Sequence, residues 1–147
     1  MANLSKKNAA ADKKAEVTIT KLTRDSLPRV PFAHIATSVL PKGYKLSIVF
    51  AGDKLTRTLN QTYRKKSYIP NVLSFPLGTH AGEIFVNLSE AKRQFKARRV
   101  SGTWTSFVAL LVIHSMLHLK GMAHGRRMET REEIVLAQYG YRATLIS

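Results

Sequence analysis

The chain switches repeatedly between the two-residue hydrophobic period of strands and the longer period of helices. The β-branched Val17, Thr18, Ile19 and Thr20 predict a first strand over residues 16–22. A Pro-initiated helical pattern follows over 31–40, ended by Pro41, Lys42 and Gly43. Residues 44–50 alternate as a second strand, and Gly52 and Asp53 open a helix running to about residue 63, with Leu55 and Leu59 on its apolar face. Two short apolar runs, 71–77 and 83–88, flank the glycine-bounded residues 78–82 and predict a strand pair. Ser89 is placed to cap a basic helix through residue 99, with Glu90 in its first turn.

The most apolar segment, residues 103–120, predicts a buried helix with Trp104, Phe107, Leu110, Leu111 and Leu117 as core residues. A last amphipathic helix over 129–139 places Ile134, Leu136 and Ala137 for packing, and its Glu129, Glu132 and Glu133 suit a solvated helix start. Alternation early and helices late predict an α+β fold, a small mixed β-sheet packed with helices. With 147 residues, 44% of them hydrophobic, one domain with a sizeable core is expected. It is assigned to residues 15–147, and residues 1–14 to a disordered basic arm.

Charge narrows the partners. There are 24 Lys plus Arg against 9 Asp plus Glu, a net +15, which points to a polyanion. The basic residues are spread through folded-looking segments and do not form one face of an amphipathic helix, which favours nucleic acid over a membrane surface. The longest apolar stretch, 107–113, is far too short to cross a bilayer, and the N-terminus lacks the apolar core of a secretory signal, so a soluble protein is expected. There is no cysteine, which fits a reducing cytoplasm.

The apolar helix ends in the candidate chemistry. His114 and His118 are four residues apart, one turn along a single helix face. If the helix continued, His124 would fall on another face, but Gly121 can take the left-handed conformation that ends a helix and turns the chain back. Three imidazoles with an open fourth position describe a catalytic zinc site, since structural zinc sites are closed by four ligands and usually rich in cysteine. Zinc proteases use the same spacing with Glu directly after the first histidine as general base. Here that residue is Ser115, whose hydroxyl cannot hold a proton in that role.

These residues resemble a known family. The run from His114 to His124 is similar to the His-Gly-x-Leu-His-Leu-x-Gly-Tyr-Asp-His motif of the YbeY endoribonucleases, with His114, Leu117, His118, Leu119, Gly121 and His124 matching. Upstream, Leu59-Asn60 with Arg64, the stretch Asn71-Val72-Leu73-Ser74-Phe75-Pro76, and Gly82-Glu83-Ile84 resemble further family motifs in the same order. Ser115 departs from the family glycine, and Met122-Ala123 from Tyr-Asp, which removes a carboxylate beside the expected ion.

The resemblance implies a zincin-like fold with His-x-x-x-His on a central helix. It implies one Zn²⁺ per chain held by His114, His118 and His124, with Arg64 and His114 as catalytic groups and Arg64, Lys65, Lys66, Asn71 and Ser74 as substrate contacts. The function it implies is a cytoplasmic, zinc-dependent, single-strand-specific endoribonuclease in ribosomal RNA maturation and ribosome biogenesis, with single-stranded RNA and a ribosomal subunit as partners. The alternatives are a catalytically weakened or inactive metal-containing RNA- or ribosome-binding protein and, behind it, a zinc peptidase.

Overall fold

The computed structural model describes residues 13–145. The expected basic arm lies outside these residues except for its last two positions, Lys13 and Lys14, which are exposed. In chain order the elements are β1 (Glu16–Lys21), α1 (Phe32–Val39), β2 (Lys45–Phe50), α2 (Asp53–Arg64), β3 (Val72–Gly78), β4 (Ala81–Val86), α3 (Leu88–Lys96), β5 (Val100–Gly102), α4 (Trp104–Leu119), α5 (Arg126–Gln138) and β6 (Ala143–Leu145). This is the α+β class expected from the sequence.

The main sheet has the order β1-β2-β4-β3. β1 and β4 run parallel to β2, and β3 pairs antiparallel with β4 through the tight turn at Thr79 and His80. β3 is therefore an edge strand, and Pro76 is tolerated there because an edge leaves one row of backbone groups outside the ladder. β5 and β6 form a separate antiparallel pair.

α4 runs through the centre. It packs against β3, β4, α1, α3 and α5, so it is apolar on every side and every residue from Ser106 to Ile113 is buried. Thr103 caps it, its hydroxyl accepting from the Ser106 N–H at 3.1 Å. At the other end Gly121 has φ +97 and its N–H bonds the His118 carbonyl at 2.9 Å, ending the helix where the sequence expected.

Several expectations fail for identifiable reasons. The cap of α3 is Asn87, not Ser89: its side-chain oxygen accepts from the Glu90 N–H at 3.1 Å. That helix ends at Lys96, before the predicted residue 99, because the chain turns through Arg98 at φ 57 into β5. The buried face of α2 is Thr56 and Asn60, while Leu55 is exposed, because Asn87 donates to Thr56 and Asp53 and so ties α2 to α3 through polar contacts. On α5 the packed residues are Met128, Val135 and Leu136. Ile134 and Ala137 face outward, since the helix, which starts three residues earlier than expected, packs through the stripe of Met128, Val135 and Leu136. Trp104 is only half-buried, in edge-to-face contact with Phe95 and Phe107 at the start of α4.

Candidate metal centre and nucleic-acid cleft

α4 and the turn after it gather the three histidines. His114 and His118 share one face of α4, and the turn at Gly121 (φ 97) brings His124 back beside them. The ring centroids are 4.5 Å apart for His114–His118, 5.0 Å for His114–His124 and 4.3 Å for His118–His124. One nitrogen from each ring lies within 4.8 Å of the others, so the three could hold one metal ion. His34 and His80 stand apart, beside Tyr139 and Thr79 respectively.

The outward-turned nitrogens fix the tautomers. His114 Nδ1 is 2.7 Å from Glu132 Oε1, and His118 Nδ1 is 3.0 Å from the Met122 carbonyl oxygen. Both partners only accept while Glu132 is ionised, so each Nδ1 carries the proton and each Nε2 presents a lone pair. The two Nε2 atoms face each other at 3.0 Å. Two lone pairs at that separation repel unless a cation lies between them. Burial, and after it the neighbouring His114, holds His118 below the ordinary histidine pKa, which disfavours a proton as that cation. Two Nδ1-anchored imidazoles with converging Nε2 atoms, and a third ring beside them, are the donor chemistry of a divalent metal site.

Glu132 corrects the sequence reading of this helix. Its side chain is 13% exposed and bound to His114 rather than solvated. Glu129 and Glu133 are exposed, as a helix start would have them, and also border the cleft. Ala123, where the family has an aspartate, is exposed, and Ser115 is buried beneath the histidines.

The histidines line a cleft of about 720 Å³ that Arg64, Tyr68 and residues of the edge strand β3 also line. Arg64 is the last residue of α2, and Lys65 closes that helix in the left-handed conformation (φ 58). Arg64 Nη1 donates to Asn60 Oδ1 at 3.3 Å and lies 3.5 Å from the Tyr68 hydroxyl. Asn60, fully buried, also donates from Nδ2 to the Tyr68 carbonyl at 3.0 Å. Asn60 and Tyr68 thus hold the arginine, a role the sequence reading did not assign, although Asn60 stood within the quoted motif. Asn71 and Ser74 line the cleft on β3 and its approach, with the Asn71 amide donating to Gln94 at 2.9 Å. Lys65 and Lys66 are exposed and outside the lining.

The profile of the family described as Endoribonuclease YbeY matches residues 3–140. The chain belongs to the YbeY family. The YbeY endoribonuclease of Alkaliphilus metalliredigens is 32% identical over 113 residues, covering 66% of this chain and 72% of that one. That of Myxococcus xanthus is 36% identical over 112 residues, covering 67% of this chain but 37% of that protein. A solution structure from Thermotoga maritima shares 20% identity, with a TM-score of 0.46, over 83% of this chain and 91% of that one. In this YbeY chain, as in the sequence motif, the histidine run and the Arg64 motif are distant in sequence, and the fold brings both to one cleft. Among the described residues no helix is long and apolar enough to cross a membrane.

Proposed function

We propose that the protein is a zinc-dependent endoribonuclease that cuts single-stranded RNA in the cytoplasm during ribosomal RNA maturation, in contact with a ribosomal subunit. The observation that carries this reading is the shared cleft, which three convergent imidazoles and a tethered arginine both line. Membership of the endoribonuclease family and the net +15 charge support an RNA substrate.

His114, His118 and His124 would hold the ion, which when bound supplies Lewis acidity toward a phosphoryl oxygen. The remaining roles belong to the chain. Arg64 presents a planar donor fork to the scissile phosphate and stabilises the negative charge that grows on it in the transition state. Asn60 and Tyr68 keep that fork in place. Glu132 accepts the Nδ1 proton of His114 and the Met122 carbonyl that of His118, so both rings keep the orientation needed for catalysis. Ser74 and Asn71 face the substrate from β3 and its approach, while Lys65 and Lys66 attract the polyanion from outside the lining. His114 and His118 are half-buried whereas Arg64 and His124 are exposed, so a phosphodiester must enter the cleft to meet both groups. An unpaired strand, with its backbone free to bend, enters more readily than a duplex.

The test is metal content by mass spectrometry on wild type and His118→Ala, followed by cleavage of a single-stranded ribosomal RNA fragment by wild type, His118→Ala and Arg64→Ala. About one zinc per chain, lost in His118→Ala, and cleavage abolished in both variants is the expected result. Full cleavage by either variant overturns the site. RNA binding without turnover in zinc-loaded wild type assigns the protein to non-catalytic binding.

A further inference from the structure

α5 is divided by charge in a way its packing does not require. Glu129, Glu132 and Glu133 border the histidine cleft. Away from them, Arg126, Arg127, Thr130, Arg131 and Ile134 join Met122 to line an open groove of about 440 Å³. Arg127, Arg131 and Ile134 follow the i, i+4, i+7 spacing of one helix stripe, roughly 200° around from the stripe that Glu129 begins. All three arginines are exposed, and among the described residues none of them pairs with a carboxylate. Three adjacent guanidinium groups repel one another and gain nothing from the core. Two apolar side chains, Met122 and the 45% exposed Ile134, line the same groove.

The groove also adjoins the metal centre. Met122 is one of its walls, and the carbonyl of the same residue accepts from His118. The turn from Met122 to the exposed His124 therefore separates the groove from the histidines by a few residues.

We propose that this groove is a second binding site for the same RNA, in which Arg126, Arg127 and Arg131 take the phosphates flanking the cleaved bond while Met122 and Ile134 receive the face of a base. This rests on the endoribonuclease reading for its ligand. Guanidinium groups match phosphate geometry, and apolar or aromatic contact with bases is tolerant of sequence. The lining suits a polyanion with flat apolar faces better than an acidic protein segment, whose carboxylates would leave the Met122–Ile134 floor without a partner.

The experiment measures binding of a fluorescein-labelled oligo(U) by anisotropy across a salt series, in EDTA so that cleavage does not intervene. Wild type is compared with Arg127→Gln/Arg131→Gln and with Arg127→Lys/Arg131→Lys, with circular dichroism to confirm the fold. Each phosphate contact on a single strand contributes about 0.7 to the slope of log K against log salt. The Gln pair is expected to bind more weakly, with a slope shallower by about 1.4, and the Lys pair to keep the wild-type slope. An unchanged slope and affinity in the Gln pair overturns the groove as an RNA site and leaves an acidic protein surface as its occupant. Wild type that binds no oligo(U) overturns it as well. Cleavage by zinc-loaded wild type is scored separately, so an unchanged slope with active enzyme sinks the groove alone, and a changed slope with inactive enzyme sinks only the catalytic reading.

Discussion

Glu132 Oε1 lies 2.7 Å from His114 Nδ1 across 18 residues of sequence, joining α5 to α4 at the metal centre. That contact sets the tautomer of His114 and steers its free nitrogen toward the other rings. Glu132→Ala is therefore expected to lower zinc affinity about 10- to 100-fold while leaving the fold intact. Glu132→Gln, which keeps an acceptor oxygen, loses less. Competition with a chromophoric zinc chelator measures both, and wild-type affinity in Glu132→Ala would remove Glu132 from the site.

Asn60 is buried and bridges Arg64 to the Tyr68 carbonyl. Asn60→Ala leaves a carbonyl unpaired and frees the arginine, which should cost about 1–3 kcal/mol in urea denaturation. RNA affinity, measured by anisotropy, should also fall no further in the Asn60→Ala/Arg64→Ala double variant than in Arg64→Ala alone, a coupling that a purely structural asparagine would not show. Additive losses of affinity would assign Asn60 to stability alone.

A Cβ at Gly82 would come within 2.9 Å of both terminal methyls of Leu119 and would also clash with the Tyr44 hydroxyl. Leu119 follows His118 at the end of α4, so Gly82→Ala presses on the metal centre from β4. We expect destabilisation of about 1–3 kcal/mol together with reduced zinc content. Gly78→Ala meets open space and serves as the control, with a change within about 0.5 kcal/mol. Equal stability of the two variants would contradict the packing.

Hydrogen bonds from Arg93 and then Asn87 hold the Asp53 carboxyl below the ordinary aspartate range. A lowered folded pKa contributes stability that is fully present above the unfolded value and is lost as pH falls through the folded one. The stability gap between wild type and Asp53→Asn should accordingly be greatest near neutral pH and shrink below about pH 4. A gap that is constant from pH 7 to pH 3 would show that the ionised pair contributes nothing.

Much of this protein was legible in the residues themselves. The periods of two and of three to four residues located the main strands and helices, because burial of one face leaves its mark on a single segment. The clustering of the three histidines was legible for the same reason. The three imidazoles sit within eleven residues, and helix geometry together with one glycine settles their convergence. The family motif added Arg64, which periodicity could not distinguish from any surface arginine.

What the tertiary structure alone decided are the relationships between segments. A solvated glutamate and a partner of His114 have the same local sequence, and only the packing of α5 on α4 turns Glu132 inward. Thr56 and Asn60 are polar residues of α2, yet they are buried because Asn87 and Tyr68 come from outside that helix to satisfy them. The cap of α3 went to Asn87 over Ser89, although both residue types favour that position, because the end of β4 fixes where the helix begins. Local spacing specifies what one helix or strand presents. Which polar groups are satisfied, and which charges meet across a cleft, depends on contacts between residues far apart in the chain.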